Sequence, residues 1–315
     1  MSEIIFCDSG VSKEQSAYVQ TFDAGYGVWD ENGHGTSLID LVHNINKEIK
    51  IRSIKILDEK NEGTLEGLMD VLEKCIELEG TVICLALSID EAITANRELQ
   101  ETVNRVINSG KIIVAALHNE ASYSIPAGFS DVIGVKTVGI SSNLMQFYDI
   151  TQPIQCKLPT ENFFCKSLGG DYVKLGGNSV ACAFFAEHVA SILNKNGEYC
   201  LSEIQELVAR QKITDVKYYK YFDYLETHSE HENEIRNIIK KVNNEYNINQ
   251  FDDHILMEIR SLKQLNSYLK ELENNGLKIN RRTFLRKFDL QNISTLTNYF
   301  MVQMNNINDE NGGRR

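Results

Sequence analysis

Four polar residues have the types and the surroundings that nucleophilic acyl transfer requires. Asp8 follows the apolar run EIIFC, and His34 lies between two glycines in NGHGTS. Asn119 follows the apolar run KIIVAAL, and Ser179 begins a segment of small apolar residues in GGNSVAC. A serine hydroxyl becomes a useful nucleophile when a base removes its proton, and a histidine held by a carboxylate is a common base. An asparagine amide is a suitable donor to the oxyanion that then forms.

Each of these residues also has an ordinary structural role. Ser179 alone is typical of a helix N-cap, and Asp8 or Asn119 alone is typical of a turn that follows a strand. His34 is harder to explain in this way, because a structural histidine seldom needs a glycine on each side. Taken together, the four residues favour a catalytic site. The alternative is a protein that keeps the same fold without the activity.

Strand-like and helix-like runs alternate through the first two hundred residues, which predicts an α/β fold with a parallel sheet and helices on both faces. The predicted strands are 3–7, 49–57, 81–87, 111–117 and 131–138. The predicted helices are 64–80, 93–109, 178–196 and 202–211, and the segment 140–175 is irregular and β-rich. Functional sites of such folds lie at the carboxyl ends of the strands, where Asp8 and Asn119 fall.

The chain order Asp8, His34, Ser179, with these flanking residues, resembles that of the subtilisin-like serine peptidases. The resemblance covers about residues 1–210 and extends to the segments IKILDEKNEGTLEGLMDVLEKCIE and SYSIPAGFSDVIGV. It implies a subtilisin-like doubly wound parallel sheet and a serine endopeptidase that hydrolyses peptide bonds through an acyl-enzyme. By this resemblance Asp8 orients His34, which is the base for the nucleophile Ser179. Asn119 then donates to the oxyanion.

The chain departs from the family pattern around the nucleophile and along the substrate cleft. Asn178 stands where the family has a threonine, and we expect its amide to donate near the oxyanion with altered geometry. Ala183 stands where the family has a proline, which predicts a slightly shifted helix start. Larger side chains than usual border the pocket for the residue before the scissile bond, which predicts a narrowed pocket and restricted specificity. The substrate-binding positions implied by the resemblance are Ala86, Leu87, Ser88 and His118.

Charge and cysteine content limit the classes of partner. The formal net charge of −12 fits neither nucleic acid nor an anionic membrane, so we expect neither as a partner. The N-terminus lacks an export-signal pattern and the seven cysteines form no CxxC pair, which predicts reduced thiols and a cytoplasmic protein. No metal-ligand spacing is visible, and we expect no metal and no cofactor in the peptidase part. Seven residues precede Asp8, which predicts folding without the prodomain that secreted members carry.

A shift in composition predicts a domain boundary near residue 215. We expect the peptidase domain at 1–215, a linker at 216–232, a small all-helical C-terminal domain at 233–306 and a disordered tail at 307–315. The helical domain is expected to bind the substrate or a partner protein.

The segment 251–300 resembles an acyl or peptidyl carrier domain. Ser261 opens an apolar-faced helix that Gly276 closes, and a second helix follows a Thr-rich turn. The resemblance implies phosphopantetheine on Ser261, with Arg260 in place of the usual aspartate. The alternative is a small helical bundle in which Ser261 caps its helix.

The sequence as a whole predicts an intracellular subtilisin-like serine endopeptidase that processes a dedicated protein or precursor peptide, such as one with a leader. Two alternatives stay open. One is an inactive pseudopeptidase that holds a partner in its cleft. The other is a peptidase that acts on carrier-bound intermediates.

Overall fold

The chain forms two compact units, each built from two stretches of sequence. The computed structural model describes residues 3–89, 95–138, 154–159, 163–170, 172–196, 200–210, 231–248, 255, 259, 261–277, 285–286, 290 and 293–301. The first unit comprises Met1–Glu161 and Gly176–Lys220. The second comprises Asn162–Leu175 and Tyr221–Arg315.

The first unit contains a seven-stranded sheet in which every neighbouring pair is parallel. Its strand order is β2-β3-β1-β4-β5-β6-β7. The strands are β1 (Glu3–Asp8), β2 (Val19–Phe22), β3 (Lys50–Lys55), β4 (Val82–Leu85), β5 (Ile112–Ala116), β6 (Ile133–Val138) and β7 (Cys156–Pro159). The α/β class and the parallel sheet predicted from the sequence are therefore confirmed.

The helices described in this unit are α1 (His34–Ile45), α2 (Leu65–Glu77), α3 (Ala95–Asn108), α4 (Gly177–Asn196) and α5 (Leu201–Arg210). The structure adds α1 and β2, which the residue pattern does not predict. β2 is a four-residue edge strand, and α1 begins with His-Gly, a weak signal for a helix.

Two pairs of buried thiols show that helices cover both faces of the sheet. Successive side chains of a strand point to opposite faces. Cys7 of β1 faces α2, and its Sγ lies 3.9 Å from Sγ of Cys75. Cys84 of β4 faces α4, and its Sγ lies 3.8 Å from Sγ of Cys182. The first face is shared by α2 and α3, which pack against each other, and the second by α4 and α1.

Helix α4 is buried along most of its length. Its residues 180–190 are all buried, and it packs against α1 and strands β1 and β4–β7. Nine of these eleven residues are apolar, the exceptions being Glu187 and His188. A helix that is apolar on nearly all sides belongs in an interior, which explains its weak amphipathic pattern. The first turn of α4 is thereby held at a fixed place beside the sheet.

The carboxyl ends of β1 and β4 form the topological switch point of the sheet. The chain passes from β1 to β2 and β3 on one side, then crosses to β4 on the other side. Ligand sites of open α/β sheets lie at such points. Asp8 is the last residue of β1, and Ala86 follows β4 directly.

The second unit combines helices with a small antiparallel sheet. Among its described residues, the longer helices are α6 (Glu232–Glu245), α7 (Leu262–Asn274) and α8 (293–301). Its described strands are β8 (Phe163–Lys166), β9 (Tyr172–Leu175) and β10 (Leu285–Arg286), in the order β10-β8-β9. Its core contains, among others, Phe164, Tyr172, Ile239, Leu265, Tyr268, Leu269, Leu272, Leu296 and Phe300.

This composition differs from the all-helical domain expected at 233–306. The hairpin of β8 and β9 belongs to the second unit because the side chains of Phe164 and Tyr172 pack into that unit's core. The predicted linker lies outside the described residues up to residue 230, and α6 begins at Glu232. The predicted tail at 307–315 also lies outside them.

Within the part of the chain that the structure describes, no helix is both long and apolar enough to cross a bilayer.

Candidate active site

A hydrogen bond joins the histidine and the acid predicted from the sequence. His34 is the first residue of α1, and its Nδ1 lies 2.8 Å from Oδ1 of Asp8 at the end of β1. The Asp8 side chain is 1% exposed and the His34 side chain 16% exposed. Within the described residues, Nε2 of His34 has no hydrogen-bond partner. The ring is thus held at Nδ1 and leaves Nε2 free to exchange a proton.

A close approach of backbone to Asp8 makes this bond possible. The N–H of Ser9 donates to Oδ1 of Asp8 at 2.8 Å, and the N–H of Gly35 donates to Oγ of Ser9 at 2.9 Å. A Cβ at position 35 would lie 2.5 Å from the carbonyl oxygen of Gly10 and 3.1 Å from Oδ1 of Asp8. Only glycine at position 35 therefore lets the start of α1 lie against the Asp8 turn.

The electrostatic surroundings favour the protonated form of His34. Burial by itself lowers the pKa of His34, but the charge of Asp8, its hydrogen bond and the charge of Asp30 outweigh burial and raise the pKa above its ordinary value of 6.5. The two carboxylates therefore stabilise the imidazolium, which is the state that a general base reaches after it accepts a proton.

Asp30 anchors the start of α1, a role that the sequence analysis did not assign. Its Oδ1 accepts from the N–H of Gly33 at 2.7 Å, and its Oδ2 accepts from the N–H and the hydroxyl of Thr36 at 2.9 and 2.6 Å. Burial raises the pKa of Asp30, but these hydrogen bonds outweigh it and lower the pKa. The spacing of Asp30, Gly33 and Thr36 in DENGHGT is the sequence signal that would have indicated these hydrogen bonds at the start of α1.

Asn119 and the first turn of α4 are joined by a hydrogen bond. The N–H of Asn178 donates to Oδ1 of Asn119 at 3.2 Å, so the Asn119 amide is oriented by its oxygen. Among the described residues, Nδ2 of Asn119 donates to no protein group, and the residue is exposed. Gly177 has φ of 74°, and a Cβ there would lie 2.9 Å from Oδ1 of Asn119. A glycine is therefore needed where the chain turns into α4.

Ser179 lies in the first turn of α4 with a partly exposed side chain. Its hydroxyl donates to the carbonyl oxygen of Ala86 at 3.1 Å. The N–H groups of a first helical turn have no carbonyl partner four residues earlier within the helix. The N–H of Ser179 is one of these groups, and the positive end of the helix dipole adds to its capacity to bind an anion.

A cleft of 900 Å³ opens at the carboxyl ends of β3, β4 and β5. Ser179 and Asn119 line this cleft. The four predicted substrate-binding residues line it as well, and these are Ala86, Leu87, Ser88 and His118. The Asp8–His34 pair lies at the end of β1, the strand between β3 and β4, and is not itself among the lining residues.

Comparison with known proteins places the chain in a family. The model of the subtilase family matches residues 23–247. The chain belongs to the subtilase family. The match begins after Asp8, so the assignment of Asp8 in this subtilase rests on its hydrogen bond to His34.

Individual relatives are distant. The subtilase is 26% identical over 181 residues to the major intracellular serine protease of Bacillus subtilis (strain 168), which covers 52% of this chain and 54% of the relative. It is 23% identical over 232 residues to the minor extracellular protease Epr of the same organism, covering 68% of this chain and 35% of the relative. The chain thus spans about half or less of these two proteins.

A solved structure supports the fold. The crystal structure of a cold adapted subtilisin-like serine proteinase superposes with a TM-score of 0.57 at 20% identity, and covers 69% of this chain and 85% of that chain. The subtilisin-like fold predicted from the sequence is confirmed.

The structure corrects the expectation for Asn178. The side chain is 5% exposed, its Nδ2 donates to the carbonyl oxygen of Leu117 at 2.7 Å, and its Oδ1 accepts from the N–H of Thr137 at 2.7 Å. An amide whose two ends are satisfied in this way has no donor left for an oxyanion. In this subtilase Asn178 instead fastens the start of α4 to β6 and to the residue that follows β5.

Ser261 lies in the second unit, at the N-cap of α7. The residue is exposed, and its Oγ accepts from the N–H of Gln264 at 3.1 Å. This contact is that of an ordinary helix cap, which was the alternative interpretation. Attachment of phosphopantetheine to Ser261 stays a prediction, and intact mass after co-expression with a phosphopantetheinyl transferase would test it.

Proposed function

We propose that this subtilase is a serine endopeptidase with Ser179 as nucleophile, His34 as general base and Asp8 as the residue that orients the base. The observation that supports it most strongly is the 2.8 Å bond between Nδ1 of His34 and Oδ1 of Asp8, in a protein whose neighbouring cleft is lined by Ser179 and Asn119. The two relatives are named as proteases, one of them as a serine protease, which supports the same reaction class.

In the proposed first step, Nε2 of His34 takes the proton of the Ser179 hydroxyl as Oγ attacks the peptide carbonyl. The hydroxyl must first turn away from the carbonyl of Ala86, to which it donates in the free protein. Catalytic hydrogen bonds are often formed only in the substrate complex. Asp8 then stabilises the imidazolium, and His34 returns the proton to the leaving amine, which leaves an acyl group on Ser179.

The oxyanion of the tetrahedral intermediate needs hydrogen-bond donors near the N-terminus of α4. We assign the N–H of Ser179 and Nδ2 of Asn119 to this role, because the first lies in the first helical turn and the second is unoccupied among the described residues. Water then attacks the acyl-enzyme by the same sequence of proton transfers, and Ser179 is released.

A fluorophosphonate probe tests the nucleophile. The folded protein is expected to be labelled, Ser179→Ala is expected to lose the label, and the exposed Ser130→Ala is the matched control that keeps it. Asn119→Ala is expected to lower kcat by about 10²–10³-fold, the usual effect of removing one oxyanion donor. If the folded wild-type protein is not labelled and cleaves no peptide, the inactive scaffold is favoured. In that case the Ser179 hydroxyl remains hydrogen-bonded to the carbonyl oxygen of Ala86.

We propose in addition that the protein works in the cytoplasm on a dedicated protein or precursor peptide. Six of its seven cysteines are buried as free thiols, which supports a reducing compartment. The side chains of Leu87, Ser88 and His118 on the cleft wall support restricted specificity. The two relatives named above differ in location, one being intracellular and one extracellular, so fractionation of the producing cells is the direct test.

A further inference from the structure

One wall of the cleft carries negative charge that nothing in the proposed reaction uses. Glu62 and Glu66 line the cleft, and among the residues that the structure describes no lysine or arginine lines it. Both glutamates are exposed, and within the described part of the chain neither carboxylate has a hydrogen bond or an ion pair. An extended substrate in this cleft therefore lies beside two carboxylates that are not paired with a positive charge.

The loop that carries Glu62 is held by Asp58. Oδ1 of Asp58 accepts from the N–H groups of Lys60 and Glu62 at 2.9 and 3.0 Å, and the N–H of Asp58 donates to the carbonyl oxygen of Glu62 at 2.9 Å. The hydrogen bonds from these two backbone groups lower the pKa of Asp58. Glu62 is thus presented at the cleft by a turn with fixed hydrogen bonds.

Glu66 is fixed by the first turn of α2. Oγ1 of Thr64, the N-cap, accepts from the N–H of Gly67 at 3.0 Å. The ring of Tyr26 covers this turn, because a Cβ at Gly67 would lie 2.6 Å from the Tyr26 hydroxyl. Tyr26 is 42% exposed, and its hydroxyl end lies at the turn that carries Glu66. Unpaired carboxylates on a cleft wall are suitable partners for a lysine or arginine side chain of a bound substrate.

The nearby lysines leave these carboxylates available. Nζ of Lys55 is bound to Oε2 of Glu31 at 2.7 Å and to the carbonyl oxygen of Trp29 at 2.9 Å. Lys60 lies in the turn beside Asp58, and its charge acts on that carboxylate. The wall formed by Glu62 and Glu66 therefore keeps a net negative charge.

We propose that Glu62 and Glu66 select substrates with a basic side chain close to the scissile bond. The inference rests on the proposed peptidase function and adds the chemical class of the substrate. Each exposed pair between a carboxylate and a bound cation is expected to change kcat/KM by about two- to fivefold, the usual size of an exposed ion pair. The two together give a preference of about tenfold, and salt weakens it because exposed charges are screened.

The test is a library of internally quenched peptides in which arginine or citrulline is placed at each position in turn. Citrulline keeps the shape of arginine and lacks its charge. We expect the wild type to cleave the arginine peptide about tenfold faster at one position, and the double variant Glu62→Gln, Glu66→Gln to lose that preference. The double variant Asp70→Asn, Glu77→Gln is the matched control, since both residues are exposed on the same helix outside the cleft and the variant removes the same number of negative charges.

The outcomes separate this inference from the proposed function. Equal cleavage of arginine and citrulline peptides at every position, or a preference that survives in the double variant, overturns the inference and leaves the peptidase function standing. If the wild type cleaves no peptide, the same peptides are measured as ligands by fluorescence polarisation. Tighter binding of the arginine peptide that depends on Glu62 and Glu66 then supports the charged wall in an inactive protein, and equal binding rejects it.

Discussion

At the scale of single residues, the position of the His34 proton controls the proposed reaction. Asp8 and Asp30 both act on the ring, and the pKa of His34 is raised above 6.5 although burial opposes this. A general base must be neutral before it accepts a proton. The proposed activity is therefore low below the raised pKa and increases as the pH rises through it.

Asp30→Asn tests this electrostatic assignment. Asparagine keeps one acceptor oxygen for the N–H of Gly33, but its Nδ2 cannot accept from the N–H of Thr36, so circular dichroism and urea denaturation are measured alongside to correct for a weakened start of α1. Loss of the Asp30 charge lowers the pKa of His34 and moves the acid limb of the kcat/KM profile to lower pH. The measurement is the pH profile on one peptide, with the exposed Asp70→Asn as the matched control. An acid limb that stays in place in Asp30→Asn would show that Asp30 has no part in setting the pKa of His34.

At the scale of elements, the start of α4 depends on its fastening to the sheet. Helix α4 is buried along one long stretch, yet apolar packing alone does not prevent the helix from sliding along its own axis. Asn178 fixes this axial position, because its amide is hydrogen-bonded to the carbonyl oxygen of Leu117 and to the N–H of Thr137. The Ser179 hydroxyl and N–H are placed by the same turn.

Asn178→Ala is expected to lower the free energy of unfolding by about 1–3 kcal/mol, because it leaves a buried carbonyl and a partly buried N–H without their partners. Urea denaturation measures this, and Asn108→Ala at the exposed end of α3 is the control, expected to change it by less than about 0.5 kcal/mol. We also expect kcat to fall more than KM rises, because the oxyanion donors move. Equal stability of both variants would contradict the fastening role.

At the scale of the whole molecule, the second unit is not a simple C-terminal appendage. Its hairpin, β8 and β9, lies in the sequence just before α4, and β9 ends at Leu175, four residues before Ser179. Within the unit, Asn266 of α7 acts as a further strand-like partner of β9. Its Oδ1 accepts from the N–H of Tyr172 at 2.6 Å, and its Nδ2 donates to the carbonyl oxygen of Tyr172 at 3.1 Å.

Removal of residues 221–315 is therefore expected to destabilise the truncated chain 1–220. Phe164 and Tyr172 would lose their buried surroundings, at a cost of about 1.5–3 kcal/mol for each side chain. Thermal unfolding and limited proteolysis of the hairpin measure this loss. Asn266→Ala in the full chain is the milder test, with the exposed Asn274→Ala on the same helix as control. A truncated chain with the unfolding temperature of the full protein would show that the hairpin does not need the second unit.

Much of the fold was predictable because it depends on local patterns. Apolar runs of four to nine residues marked β1, β3, β4, β5 and β6, and glycines marked the ends of two helices. The hairpin of β8 and β9 could not be placed from the sequence, because its partners Leu265, Tyr268 and Asn266 lie about a hundred positions further along the chain. Contacts between residues so far apart in the sequence are not indicated by any local pattern.

The sequence by itself determined the family, the α/β class and the identity of the candidate triad, because these depend on residue types in a fixed order. The tertiary structure decided three other points. It showed that Asp30 holds the start of α1, that the Asn178 amide is used by Leu117 and Thr137, and that Glu62 and Glu66 line the cleft. Each of these depends on which atoms meet across separate elements, and that is fixed by the packing of strands and helices rather than by any local pattern.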